Sequence, residues 1–162
     1  MTTLIAYDGS EDSQRAITVA ARLLTAAPTC VVTVWEPLIT QISSQPMSVA
    51  TGDDAEVIDE RMRADAERRA AEGAELARQA GLGDVTYRAA ADPGTIWDAL
   101  IAAADELDAD VLVTGSRGLG GLKSLLLGSV SRNLLQHAAR PVLVVPPQAS
   151  AVIGSADRAG QS

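Results

Sequence analysis

Short, mostly aliphatic runs alternate along the chain with longer stretches in which apolar residues recur at helical spacing. The five runs are TLIAY (3–7), CVVTVW (30–35), VTYRAA (85–90), DVLVTG (110–115) and PVLVVP (141–146), and each is predicted to form a strand. The amphipathic stretches predict helices at about 10–26, 53–80, 95–107 and 129–139. Such alternation is typical of right-handed βαβ units, so we predict a single-domain α/β fold with a five-stranded parallel sheet and helices on both faces.

Local chemistry marks the predicted helix ends. Ser10 is suited to cap the first helix, and Thr95 with Asp98 resembles a capping box for the third. Gly81 can adopt the left-handed conformation that ends the long second helix. A stripe of this second helix is predicted to face the core, and it consists of Ile58, Met62, Ala66, Ala70, Ala74 and Ala77.

Two stretches lie outside this pattern. Residues 36–52 are longer than a usual connection from a strand to a helix, so they are either disordered or a lid over a site. Residues 148–162 carry little that could be buried, and we expect a disordered tail. The predicted domain therefore spans residues 1–147.

The formal net charge of −8 argues against a nucleic acid partner, because that binding depends on lysine and arginine neutralising phosphates. The N-terminal stretch has no basic region, and no run approaches the roughly 20 apolar residues of a membrane span. Cys30 is the single cysteine, which excludes an intrachain disulfide and predicts a small buried residue on a strand. We therefore expect a cytoplasmic protein that binds no membrane.

One segment departs from the acidic character of the chain. Residues 114–133 (TGSRGLGGLKSLLLGSVSRN) contain five of the 13 glycines and no acidic residue. Between Gly115 and Arg140 the charged residues are all cations, namely Arg117, Lys123, Arg132 and Arg140. The segment leaves the carboxyl end of a predicted strand and enters a helix, a place where backbone amides bind phosphate. The alternative is a crossover loop that merely precedes a basic helix.

Several familiar nucleotide motifs do not fit this segment. Leu122 occupies the place of the glycine that a Walker A loop needs before its lysine, and Lys123 occupies the last glycine position of GxGxxG. A receiver domain would place clustered acids after the first strand, where Asp8 is alone. The SGGxDS run of adenylating enzymes is also absent.

The segment instead reads GSRG (115–118), nine residues, and GS (128–129). This G-x2-G-x9-G-[ST] pattern resembles the ATP-binding class of the universal stress protein family. Three further stretches are similar to that family: AYDGSEDSQRA near the start, TVW at the end of the second strand, and HAARPVLVVP. The resemblance covers roughly residues 1–147.

The resemblance implies a Rossmann-like sandwich of the adenine nucleotide alpha hydrolase type, with strand order 3-2-1-4-5 and the nucleotide across the ends of strands 1 and 4. It implies that strand 1 lies beside the adenosine, that the second strand holds the adenine edge, and that two segments line the phosphates. The residues that it assigns to these roles are Ala6, Tyr7 and Asp8; Val34; and Thr114, Gly115, Arg117, Gly118, Gly128, Ser129, Val130 and Ser131. Asp8 has a second interpretation as a turn residue that helps to start the first helix.

The implied function is a regulatory stress-response module that binds ATP, with or without magnesium, and acts on a downstream protein partner. Alternatives are a member of the family that binds cyclic AMP, a slow ATPase or phosphotransferase, and a scaffold that only dimerises. We expect no catalytic residue, because His137 is interpreted as a cation at a helix end. We expect no side-chain metal site, because no carboxylate lies between Gly115 and Arg140. A homodimer is expected through strand 5, whose edge carries Val142, Leu143, Val144 and Val145.

Overall fold

A five-stranded parallel sheet lies at the centre of the structure. The computed structural model describes residues 1–24, 27–37, 52–92, 94–118 and 127–148. The strands are β1 (Thr3–Ala6), β2 (Thr29–Trp35), β3 (Val85–Ala91), β4 (Val111–Gly115) and β5 (Val142–Val145), and the helices are α1 (Glu11–Leu23), α2 (Gly52–Gln79), α3 (Ile96–Glu106) and α4 (Ser129–His137). The order β3-β2-β1-β4-β5, parallel at every pairing, confirms the predicted fold.

The two faces of the sheet carry separate halves of the core, because successive strand residues point to opposite faces. Ile5 belongs to the face that packs on α1 and α2, whereas Leu4 belongs to the face that packs on α3 and α4. The predicted alanine stripe of α2 is confirmed, since its four alanines are buried while Ile58 and Met62 are half-buried. Cys30 is buried on β2, also as predicted.

Close packing of α2 depends on a glycine that the sequence analysis did not single out. A Cβ at Gly73 would lie 2.7 Å from the Cδ1 atom of Tyr7 and 2.9 Å from Val31. Carbon atoms do not approach this closely without strain, so a larger residue at position 73 would push α2 away from the sheet.

The helix ends agree with the sequence except in three places. The Ser13 N–H donates to Ser10 Oγ (3.2 Å), and Gly81 has φ +98°, which confirms both expectations. The capping box is wrong, because Thr95 occupies the N-cap position without a side-chain hydrogen bond. Helix α1 ends at Leu23 rather than 26. Helix α4 ends at His137 rather than 139, and Ala138 after it has extended backbone angles.

Several expectations concern residues outside the described parts of the chain. These are the lid or disorder expected for most of residues 36–52, the disordered tail after Gln148, and the position of Lys123. Among the described helices, none combines the length and the hydrophobicity that crossing a membrane requires.

The strand order places a crevice at the carboxyl ends of β1 and β4. From β1 the chain builds outward through β2 to β3, whereas β4 and β5 extend the sheet on the other side of β1. Ala6 and Gly115, the last residues of the two central strands, therefore flank the point at which the strand order reverses. In open α/β sheets, ligands bind at this point.

Candidate functional site

Ser116, directly after β4, joins the two ends of the glycine segment. Its N–H donates to the Val145 carbonyl (2.9 Å), and its own carbonyl accepts from the Gly128 N–H (2.8 Å). The Ser131 hydroxyl also donates to the Ser116 carbonyl (3.0 Å). The start of the segment, its end and the last residue of β5 are thus held together at one buried serine.

Gly115 is required where β4 passes α1. A Cβ at this position would lie 2.8 Å from the backbone carbon of Asp12 and 2.9 Å from its carbonyl oxygen. Asp12 Oδ2 in turn accepts from the Ser116 hydroxyl (3.1 Å) and from Arg117 Nε (3.1 Å). The first turn of α1 therefore supports the beginning of the glycine segment.

Asp8 forms the turn that the sequence suggested, and it also borders the crevice. Its Oδ1 accepts from the Ser10 N–H (3.0 Å), which is the expected turn before α1, and Gly9 within the turn has φ +85°. Its Oδ2 lies against Gly118, where a Cβ would be only 2.8 Å from that oxygen, and both residues border the crevice. The turn and the contact with Gly118 thus involve different oxygens of one carboxylate.

Helix α4 begins at the same place with its amide end exposed to the crevice. Gly128 is its N-cap and provides no side-chain hydrogen bond, and the first turn contains no acidic residue. The first amides of such a helix lack intrahelical acceptors and lie at the positive end of its dipole. This arrangement favours an anion beside Ser129, Val130 and Ser131.

A cavity of about 640 Å³ lies at this crevice, a size within the usual range for small-molecule sites. All twelve residues that the resemblance assigned to the site line it. They are Ala6, Tyr7, Asp8, Val34, Thr114, Gly115, Arg117, Gly118, Gly128, Ser129, Val130 and Ser131. The cavity is also lined by nine residues that the sequence analysis did not assign to it: Ser13, Val32, Thr33, Arg69, Ile96, Leu100, Ser116, Leu127 and Arg132.

The lining divides into an apolar part and a polar part. Val32 and Leu100 belong to the core between the sheet and α3, with Ala6, Val34 and Val130 packed against it. The polar part carries the cations Arg69, Arg117 and Arg132 and, among the described lining residues, the single carboxylate of Asp8. Nothing in the sequence distinguished Arg69 as a site residue, because it belongs to a helix with many charged surface residues.

Two predicted residues contribute differently from what their side chains suggest. The hydroxyl of Ser131 is engaged with the carbonyls of Ser116 and Gly128 (3.0 and 3.1 Å). The ring of Tyr7 packs with the α1 and α2 face of the core. Its burial, followed by the nearby carboxylate of Glu72, raises the pKa of the phenol.

Arg140 and His137, near the end of the segment, do not line the cavity. Arg140 donates to the Ala104 carbonyl (2.8 Å) and the Ala109 carbonyl (2.5 Å) and pairs with Asp105, so it satisfies the C-terminal end of α3. His137, the last residue of α4, stacks on Trp97 with ring centroids 4.8 Å apart. Neither residue contributes to the charge of the cavity.

A parallel sheet in this order, with a cavity between a glycine segment and a helix N-terminus at its switch point, defines a nucleotide-binding type of α/β fold. The model of the universal stress protein family matches residues 1–146, and this chain belongs to that family. A curated relative, the Thermus aquaticus protein called Universal stress protein in QAH/OAS sulfhydrylase 3'region, is 33% identical over 149 residues, which cover 89% of this chain and 97% of that protein.

Solved structures agree with the fold. A universal stress protein in complex with cyclic AMP is 30% identical, with a TM-score of 0.63 over 90% of this chain and 96% of that one. The universal stress protein from Archaeoglobus fulgidus in complex with dAMP is 22% identical, with a TM-score of 0.59 over 90% of this chain and 97% of that one. At that lower identity the similarity concerns the fold alone.

Proposed function

We propose that this protein binds an adenine nucleotide in the cavity between β1 and β4, with ATP as the principal ligand, and that it acts as a regulatory module in a stress response. The observation that carries this proposal is the two-part lining of one cavity. An apolar part built by strand ends and α3 is suited to a base, and a part rich in backbone amides and arginines is suited to phosphates. The cyclic AMP complex of a 30% identical relative supports the adenine specificity.

Within this proposal, Ala6 and Val34 contact the adenosine, and Asp8 Oδ2 contacts the ribose. Arg117 and the amides of Gly118, Ser129 and Val130 contact the phosphates. Magnesium would accompany ATP mainly through the phosphates and water, because the described residues contain no group of three or more histidine, cysteine, aspartate or glutamate side chains that could hold a metal ion.

We further propose that the protein binds and does not turn over its ligand at an appreciable rate. Phosphoryl transfer needs a group that positions the nucleophile. The single histidine of the chain stacks on Trp97 and does not line the cavity. Incubation with ATP should therefore release phosphate far more slowly than nucleotide exchanges.

Cyclic AMP is the second candidate ligand, because the relative that is 30% identical forms a complex with it. Calorimetry with ATP, ADP, AMP, cyclic AMP and adenosine tests both candidates. Tightest binding of ATP supports the principal proposal, and tightest binding of cyclic AMP supports the second. Absence of heat with all five ligands at millimolar concentration would refute nucleotide binding.

We also propose a homodimer through β5, which lies at an edge of the sheet. Leu112 N–H donates to the Pro141 carbonyl (3.0 Å) and Ser116 N–H to the Val145 carbonyl (2.9 Å). Because backbone groups alternate along a strand, those of Val142 and Val144 point away from β4, toward the open edge. Antiparallel pairing of two such edges about a twofold axis would use these groups and cover partly exposed valine and leucine side chains.

The double variant Val142→Pro, Val144→Pro removes the two outward amides and should sediment as a folded monomer. The matched variant Val142→Thr, Val144→Thr keeps the amides and the branched shape, so it should remain dimeric. A wild type that is monomeric at micromolar concentration, or a proline variant that stays dimeric, would refute the interface.

A further inference from the structure

The carboxylate of Asp12 lies directly behind the proposed phosphate end of the cavity. It is in the first turn of α1, and its Oδ2 accepts from both Ser116 Oγ and Arg117 Nε at 3.1 Å. Its side chain is only 12% exposed, and that of Arg117 is 29% exposed. The close approach of Gly115 to the backbone of Asp12 fixes this carboxylate relative to the end of β4.

This position gives Asp12 an electrostatic effect on any phosphate that reaches Arg117. Arg117 lines the cavity, and the carboxylate of Asp12 compensates its charge. A phosphate at this place is attracted by Arg117 and repelled by Asp12, and water screens the repulsion poorly because the carboxylate is largely buried. The repulsion increases with the charge on the phosphate chain and is absent for a nucleoside.

We propose that Asp12 is a specificity-determining residue of this site, one that weakens the binding of ATP relative to AMP, cyclic AMP and adenosine. The inference rests on the proposed function and deepens it, because it states that the site discriminates between ligands by the charge on the phosphate chain. Asp12 does not line the cavity, so its action passes through Arg117 and through the local field.

Replacement of Asp12 by asparagine tests the charge alone, since the amide oxygen can still accept from Ser116 and Arg117. We expect calorimetry on the Asp12→Asn variant to show ATP binding strengthened about three- to tenfold. AMP and cyclic AMP should gain less, and adenosine should remain within about twofold of the wild type. A second neutral variant, Asp12→Ser, should rank the ligands in the same order of gained affinity. It serves as the test if the Asp12→Asn variant does not fold.

The matched control is Asp65→Asn on α2. Asp65 also pairs with an arginine (Arg68, 2.6 Å), but its side chain is 62% exposed, and it does not line the cavity. This variant removes one negative charge from the protein without changing the site, so it should leave the ratio of ATP to adenosine affinity as in the wild type.

The outcomes separate the alternatives. Weaker ATP binding with unchanged adenosine binding would mean that Asp12 positions Arg117, and equal changes for all ligands would mean a purely structural role; either result overturns the inference. If Asp12→Asn and Asp12→Ser both bind the nucleotides with the same ratio of ATP to adenosine affinity as the wild type, the inference is overturned and the proposed function remains intact. A wild type that binds none of the four ligands refutes the proposed function, and the inference with it.

Discussion

The apolar and polar halves of the cavity are built in different ways. The apolar half consists of side chains on regular elements, such as Val32 and Val34 on β2 and Leu100 on α3. In the polar half, glycines and backbone groups predominate, and Ser116 and Asp12 hold them in place through hydrogen bonds. Substitutions should therefore act through side-chain volume in the first half and through backbone geometry and charge in the second.

The largest expected effect is in the polar half, at Gly128. A Cβ there would lie 3.2 Å from the Ser116 carbonyl oxygen, so valine would push the N-terminus of α4 away from the loop and occupy space in the proposed phosphate site. We expect Gly128→Val to weaken ATP binding about 100-fold or more while adenosine changes about threefold or less, as measured by calorimetry. Circular dichroism should show an unchanged fold.

Gly83→Val is the control for this comparison, because among the described residues no atom beyond the chain neighbours lies within 4 Å of an added Cβ, and Gly83 does not line the cavity. It should bind ATP as the wild type does. If the Gly128→Val variant retains ATP affinity within about threefold, the polar half does not hold phosphates.

Arg117 provides the next effect in size. A charge-assisted hydrogen bond contributes about 1.5 to 3 kcal/mol. Loss of this arginine also leaves the carboxylate of Asp12 uncompensated. Arg117→Ala should therefore weaken ATP binding tenfold or more, on the order of 1.4 kcal/mol or above. Adenosine binding should not change. The control is Arg88→Ala. Arg88 pairs with Glu106 (2.8 Å) and does not line the cavity, so this variant should change neither affinity. Equal losses of ATP and adenosine affinity after Arg117→Ala would contradict the assignment.

The smallest effect is expected in the apolar half, at Ile96. Its side chain is 47% exposed at the cavity, so truncation to alanine removes apolar contact worth about 1 kcal/mol, or about a fivefold loss of affinity. ATP and adenosine should lose affinity equally, because both share the base. Leu23→Ala, at an exposed leucine on α1 outside the cavity, should have no effect on either affinity. A loss restricted to ATP after Ile96→Ala would mean that Ile96 contacts the phosphates rather than the base.

Much of the fold follows from local patterns in the sequence. The aliphatic runs predicted all five strands, and helical spacing predicted the four helices that the structure describes, with no end displaced by more than three residues. Ser10 and Gly81 marked their helix ends correctly because a cap depends on a few adjacent residues. The resemblance based on glycine spacing assigned twelve residues to the site, and all of them line the cavity.

Other features could not be derived in this way. Arg140 belonged to the same basic stretch as Arg117, yet it binds the end of α3. Nothing in the sequence pointed from Asp12 to the site, because the arginine with which it pairs is 105 positions away. In the sequence Gly73 is one of several small residues in an alanine-rich helix, and only the packing of Tyr7 against it shows why a glycine is needed there.

By itself, then, the sequence determined the elements, their alternation around a parallel sheet, and the place of the glycine segment after the fourth strand. These properties depend on periodicity and on interactions between residues close in the chain, which the sequence displays directly. Only the tertiary structure decided which cations line the cavity, which carboxylate lies behind Arg117, and how the two ends of the segment meet at Ser116. Those pairings require strands and helices that are distant in sequence to come within about 3 Å of each other, a condition that packing of the whole sheet establishes.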